Sequence, residues 1–250
     1  MTKNASGWCK KMRRLTLPEL AVAALLCLAL SFSLSGCTNV ATYTQPTLVR
    51  VIDASYTAPA INVYVEGSMV AGNVGQGTIT PYGTLTASPA AAIKVTGTTT
   101  TTALLSTSGI LLTGHQHSVF LTDDSTTGSG YAVTVLEDQQ VGAASGHSAF
   151  RFLNQAAKTG AVDVYMIPAD STLAKSIPLI TALPVGSRGS YVSFTSQTVT
   201  MVITPTGSVT PKYTSTPIAL TGGEVRTVLL VNAQLTSDPP VDVTIGNDVN

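Results

Sequence analysis

Ala60-Ile61-Asn62-Val63-Tyr64-Val65 is the stretch on which the reading of this chain turns. Ile61, Val63 and Val65 alternate with Asn62 and Tyr64, the period of two that puts one face of a strand on a core and the other outside. The pattern returns 101 residues later as Ala161-Val162-Asp163-Val164-Tyr165-Met166. Just upstream, Val49-Arg50-Val51-Ile52-Asp53 pairs with Phe150-Arg151-Phe152-Leu153-Asn154 at the same offset of 101. Downstream, Leu112-Thr113-Gly114 pairs with Leu220-Thr221-Gly222 at 108, and Val133-Thr134-Val135 with Val243-Thr244-Ile245 at 110. A slowly growing offset with conserved order is what a duplicated domain shows once its second copy has gained a few loop residues.

Outward from these segments the chain continues in short runs rich in Val, Ile, Thr and Tyr; beside Ile61–Val65 they include Leu48–Ile52, Ala92–Thr96, Ser118–Thr122 and Ala132–Leu136. Gly, Pro, Ser and Asp clusters break the chain every 8–15 residues, and only Ser171–Ser176 offers a brief helical turn. That texture predicts an all-β fold: two tandem immunoglobulin-like antiparallel β-sandwich domains. The Gly- and Ser-containing stretch Val141–Ser148 divides them, giving domains at 47–142 and 148–250, each of ordinary size for one core. Two copies are too few for a solenoid. Ile61, Val63, Val65, Val162 and Val164 are expected to face inward, with Asn62, Tyr64, Asp163 and Tyr165 on the opposite faces.

The paired openings resemble a known family. Val49-Arg50-Val51-Ile52, then Ala54-Ser55, Ala58-Pro59-Ala60 and Val63-Tyr64-Val65-Glu66-Gly67, are similar to the start of the bacterial domain of unknown function 4397. The resemblance spans both halves, roughly residues 47–250. It departs at Asp53, at Tyr56-Thr57 and at Asn62, while the second copy keeps Asp163 but has Thr159-Gly160 at the turn. It implies an exported protein, often with two such copies, and implies no activity.

The beginning of the chain has a different character. Lys3, Lys10, Lys11, Arg13 and Arg14 precede an apolar run, Ala21–Leu34, and then Leu34-Ser35-Gly36-Cys37. A basic stretch, a short apolar stretch and small residues are the layout of a secretory signal. The run is shorter than the roughly 20 residues a spanning helix needs. Leu34, Ser35 and Gly36 before Cys37 resemble the lipobox of bacterial lipoproteins. Residues 1–36 are then a signal peptide, Cys37 carries the lipid, and 37–46 is a tether. Arg13-Arg14 raises the twin-arginine route, but Leu15-Thr16-Leu17 matches that signal poorly, which favours the general secretory one. Anchoring by acyl chains, palmitate among them, requires more than one chain to be stable. The expected location is exported and membrane-anchored, at an outer membrane or the cell surface.

Cys9 and Cys27 fall in the signal segment, leaving no pair for a disulfide. Removing the five basic residues and one acid of 1–36 leaves 8 Lys/Arg and 12 Asp/Glu, a balance near −4. A mildly acidic body without a basic cluster excludes nucleic acid as a natural partner.

Few residues offer chemistry. His115-Gln116-His117 puts two imidazoles on one strand face, a weak metal candidate lacking its third and fourth ligands. Asp123-Asp124 and Glu137-Asp138 read as solvated loop and strand-end acids, too few for a calcium site. His147 stands alone. Arg50 and Arg151, lodged among apolar residues, allow a ligand-binding reading and a structural one. Their equal spacing from Tyr64 and Tyr165 favours a structural brace, held inside each domain by Asp53, Asp163 or carbonyl oxygens. With no recognisable nucleophile, base or phosphate loop, the expectation is no enzyme and no cofactor. The chain reads as a non-enzymatic binding module working through sandwich loops on an envelope protein or glycan. A structural spacer or assembly subunit is the alternative, and an unrecognised hydrolase a more distant one.

Overall fold

The computed structural model describes residues 45–235 and 240–249. The signal segment, Leu34, Ser35, Gly36, Cys37 and the tether up to residue 44 lie outside the described residues.

The first half contains β1 (Thr47–Asp53), β2 (Ile61–Val65), β3 (Ser68–Val74), β4 (Thr78–Ile79), β5 (Gly83–Leu85), β6 (Ser88–Gly97), β7 (Ala103–Leu111), β8 (Gln116–Asp123) and β9 (Tyr131–Asp138). They form two sheets, β4-β1-β8-β9 with β5 beside β1, and β3-β2-β6-β7. The second half contains β10 (His147–Gln155), β11 (Val162–Pro168), a 3-10 turn at Leu173–Lys175, β12 (Ile180–Leu183), β13 (Val192–Thr195), β14 (Thr198–Pro205), β15 (Tyr213–Thr214), β16 (Ile218–Ala219), β17 (Val225–Asn232) and β18 (Val241–Val249). Its sheets are β13-β10-β17-β18 and β12-β11-β14-β15, with β16 beside β14. No sheet mixes strands of the two halves. Each half repeats the other's order, including one parallel pair, β1 with β8 and β10 with β17, in otherwise antiparallel sheets.

Each half has its own core. Val49, Val51, Val119 and Leu121 of one sheet meet Ile61, Val63, Val65, Ile93 and Val95 of the other. In the second half Phe150, Phe152, Val228 and Leu230 meet Val162, Val164, Met201 and Ile203. The inward set Ile61, Val63, Val65, Val162 and Val164 is fully buried. On the opposite faces Asn62 and Tyr64 are partly exposed, whereas Asp163 and Tyr165 are covered as well.

The two sandwiches also share a third apolar cluster. Ile52, Ala54 and Phe120 of the first half pack on Leu153, Leu229 and Val231 of the second. Strands β1, β8, β10 and β17 therefore bury both faces, which is why their sequences run Phe150-Arg151-Phe152-Leu153 and Val228-Leu229-Leu230-Val231 rather than alternating. The sheets stack in four layers, with β1/β8 and β10/β17 at the centre, and 44–250 forms one compact unit. Gly246 permits close approach here, since a Cβ on it would come 2.7 Å from Ile79 and 3.2 Å from the Arg50 guanidinium.

Candidate functional site

Arg50 and Arg151 lie in the central layer between the sandwiches, 1% and 3% exposed. The parallel register sets Arg50 beside Ser118 and Arg151 beside Thr227. Arg50 Nε donates to Ser118 Oγ at 2.8 Å, and its Nη2 donates to Thr227 Oγ1 at 3.0 Å. The same Nη2 lies 2.6 Å from Asp248 Oδ1, an ion pair off the line of a hydrogen bond. Arg151 Nη2 reaches Asp138 Oδ1 at 2.5 Å, and Arg50 Nε lies 3.5 Å from the other Asp138 oxygen. Tyr82 donates to Asp138 while its ring lies under the Arg50 guanidinium, 4.7 Å away. Tyr191 donates to Asp248, its ring 5.0 Å from the Arg151 guanidinium. Ser118 and Thr227 donate to Asp138 and Asp248 in turn.

The expected in-domain brace is thus corrected in part: Arg50 does bond Ser118 and Arg151 Thr227 within their own halves, but each arginine also grips a carboxylate of the other sandwich, and Asp53 and Asp163 are not its partners. The physical reason is geometric. Side chains at Arg50 and Arg151 point away from their own cores, so their buried charges meet the facing sheet as well as the neighbouring strands of their own. Asp138, read from sequence as a solvated strand end, is 3% exposed and central. Burial alone would lower the Arg50 pKa, but Asp138 and then Asp248 outweigh it and raise it. Burial foremost, followed for Tyr82 by Asp138, raises both tyrosines, keeping them neutral donors. Two guanidiniums balance two carboxylates, and each phenol and hydroxyl is engaged. This is a clamp between sandwiches, with no open position for a substrate.

Sequence reading passed over Tyr82, Tyr191 and Asp248 and took Asp138 for a solvated acid, yet the repeat carried a signal for all four. Tyr82 and Tyr191 are 109 apart, Ser118 and Thr227 109, Asp138 and Asp248 110, within the drift seen between the two copies.

Asp163 has a local role. Its carboxylate accepts from Ala182 N at 2.8 Å and Gly207 N at 2.9 Å, tying β12 and the turn after β14, the two neighbours of β11 in the sheet. Asp53 is fully buried; Oδ1 accepts from Ser55 N at 3.0 Å, while Oδ2 has no partner. Its counterpart Asn154 uses the matching amide to donate to Gly160 O and Leu183 O. Asp123 is held by Ser55, Tyr56 and Thr57, and its own counterpart is Asn232. The first copy therefore keeps two carboxylates where the second has two amides.

The histidines do not converge. His117 is buried, with Nδ1 3.1 Å from Thr47 Oγ1 and Nε2 accepting from Leu112 N at 3.3 Å. Both ring nitrogens are occupied, which removes the weak metal candidate at this position. Because Thr47 Oγ1 itself donates to His115 O, the proton sits on Nδ1 of His117. His115 pairs with Glu137 at 2.6 Å in a partly exposed contact. His147 approaches Ser145 O at 3.1 Å. Among the described residues no three His, Cys, Asp or Glu side chains cluster as metal ligands.

An open site lies on the outward face of β2, β6 and β7. Register sets Met69, Tyr64, Lys94 and Ser106 in one row across the sheet. The Lys94 ammonium sits 5.0 Å from the Tyr64 ring centroid. A depression of about 390 Å³ follows, with Tyr64, Lys94, Thr96, Thr101 and Ser106 on its walls. The same face of the second sandwich is closed: Tyr165 is buried with Ile167, Val202 and Leu173 of the 3-10 turn. Val202 stands opposite Tyr165 where Lys94 stands opposite Tyr64. The depression lies on a sheet face, whereas the sequence pointed to loops.

Residues 47–165 match the family described as Domain of unknown function (DUF4397). A DUF4397 domain therefore occupies the first sandwich and continues through β10 into β11, one matched copy where the sequence reading expected two. No curated protein matches the chain. Among solved structures, CBMbc, a family CBM26 module from Eubacterium rectale Amy13K crystallised with maltoheptaose, is 11% identical over 81% of this chain and 96% of its own. The TM-score is 0.24, too loose a superposition to transfer fold or ligand.

Proposed function

We propose that this chain, which carries a DUF4397 domain, is an exported lipid-anchored envelope protein acting as a non-enzymatic binding module, its partner an envelope protein or a glycan. The observation that carries the binding reading is the asymmetry between the copies. One fold, one register and one tyrosine position give a closed apolar face in the second sandwich and an open face with Tyr64 and Lys94 in the first. A concave site with an aromatic wall and few polar groups is the usual form of a binding site. The two domains, 47–142 and 148–250, read as duplicated copies, the first binding and the second bracing. The clamped central layer also suits a rigid spacer, the second reading, which predicts that substitutions on the open face change nothing.

The test is capture of partners from the native envelope by the full lipidated protein, compared with Tyr64→Ala. Selective loss of a partner in the variant supports the binding module; an identical set of partners supports the spacer.

Anchoring rests on Leu34-Ser35-Gly36-Cys37. Cys37→Ala is expected to leave the precursor uncleaved and without acyl label, as read by metabolic labelling with a fatty acid. Normal cleavage with retained label ends the lipoprotein reading.

A further inference from the structure

We propose that the depression on the open face of the first sandwich is a saccharide site selective for sugars that carry a carboxylate. The inference rests on the binding-module reading and names its ligand class.

The chemistry of the walls selects the ligand. Tyr64 presents a ring whose face is electron-rich, complementary to the C–H face of a pyranose. Around it Ser106, Thr107, Thr101 and Thr96 offer hydroxyls, each both donor and acceptor, the match for a ligand covered in hydroxyls. Thr96 is 1% exposed and its Oγ1 has no partner. A buried hydroxyl without a partner is a cost that a ligand oxygen or hydroxyl relieves. Thr204, its counterpart, is unpartnered too, so that orphan belongs to both copies. The difference lies in the neighbours: Val202 and Leu173 close one face, Lys94 and an open depression mark the other.

Lys94 sets the charge preference. The body of the protein is acidic, so an ammonium on this face favours an anion over a neutral sugar. Glu66, directly after β2, accepts from Ala92 N at 2.9 Å and from Ser88 Oγ at 3.4 Å. It thus leaves the Lys94 ammonium, which rests against the Tyr64 ring, without an ion-pair partner among the described residues and open to donate a charge-assisted hydrogen bond to a ligand carboxylate. A carboxylated pyranose stacked on Tyr64 with its acid toward Lys94 uses every feature of the row. An acyl chain leaves the hydroxyls unused.

The test is calorimetric titration of the full protein in detergent micelles with oligogalacturonate, with sialyllactose, and with a neutral gluco-oligosaccharide. At low salt one of the acidic sugars is expected to bind at least tenfold more tightly than the neutral one. Lys94→Gln is expected to erase that preference while leaving neutral binding in place. Tyr64→Ala is expected to weaken all binding at least tenfold. Both side chains are at the surface, so thermal melts of the variants should match the parent and show that the losses are local. No binding of either acidic sugar, equal binding of acidic and neutral sugars, or binding insensitive to both substitutions overturns the proposal. If sugar binding is absent but Tyr64→Ala still loses a partner from the envelope, the ligand class is wrong and the binding-module reading survives.

Discussion

Replacing Arg50 by Met is expected to destabilise the protein by about 3–5 kcal/mol, the cost of stranding a buried carboxylate. Arg50 is the sole cation within ion-pair distance of Asp248 among the described residues, whereas Asp138 is approached by both Arg50 and Arg151. Arg50→Met therefore leaves Asp248 buried with only Thr227 and Tyr191 as donors. Arg151→Met leaves Asp138 with Arg50, and is expected to cost less. Urea unfolding of both variants gives the comparison. An Arg50→Met loss equal to or below that of Arg151→Met would mean the clamp is not wired as described. A double-mutant cycle of Arg50→Met with Asp248→Asn should show coupling across the two sandwiches. Independent, additive effects would contradict a shared network. Replacing the whole cluster with apolar residues is expected to be far milder than breaking it, because the desolvation cost of all four ions disappears together.

Asp53→Asn is expected to stabilise the protein at pH 8 and to flatten its response to pH. Burial first, with the Asp123 charge adding to it and the Ser55 N–H opposing, pushes the Asp53 carboxyl up to about 7 from an ordinary 3.8. The folded state thus holds a proton that the unfolded chain has already released between those values. Stability from this group is fully present in acid, declines as pH rises from about 4 to about 7, and stays low above. At about 1.4 kcal/mol per unit of pKa, the loss amounts to several kcal/mol. Asn154 shows what an amide does at the same place in the second copy, donating to Gly160 O and Leu183 O. Asp123 behaves oppositely. Burial raises its pKa, but hydrogen bonds from Ser55, Thr57 and Tyr56 outweigh that and depress it, so its contribution is lost only in stronger acid, outside the Asp53 window. Thermal melts from pH 5 to 8 test the pair. A variant that melts below the parent at pH 8, or retains the parent's slope, would show that Asp53 is ionised at little cost.

The value of the repeat was uneven along the chain. Alternation in Ile61–Val65 placed three side chains on the core, because which face of a strand is apolar is a local property. Offsets of 101 to 110 relate the two halves in one order, the pattern a duplicated domain would leave in the sequence. The continuous runs at Ser118–Leu121 and Val228–Val231 held further information, being the mark of strands covered on both faces. The amphipathic reading of Tyr64 and Tyr165 as equivalent surface residues failed at Tyr165, because the loop after β11 in the second copy folds Leu173 over it.

The sequence by itself determined the all-β character, the inward faces of Ile61–Val65 and Val162–Val164, the internal repeat and the requirement that Arg50 and Arg151 find partners. It could do so because periodicity, turn chemistry and the penalty on a buried unpaired charge act within a few residues or one side chain. Only the tertiary structure decided which partners those are. Arg50 meets Thr227 at a separation of 177 residues and Asn247 at 197, contacts created by one sheet docking on another. The choice of which two sheets face each other, and which outer face stays open, depends on the summed burial of both sandwiches. No single segment encodes that sum, so the clamp appears only when the four layers are stacked, and the Tyr64 depression only when β2, β6 and β7 pair in one sheet.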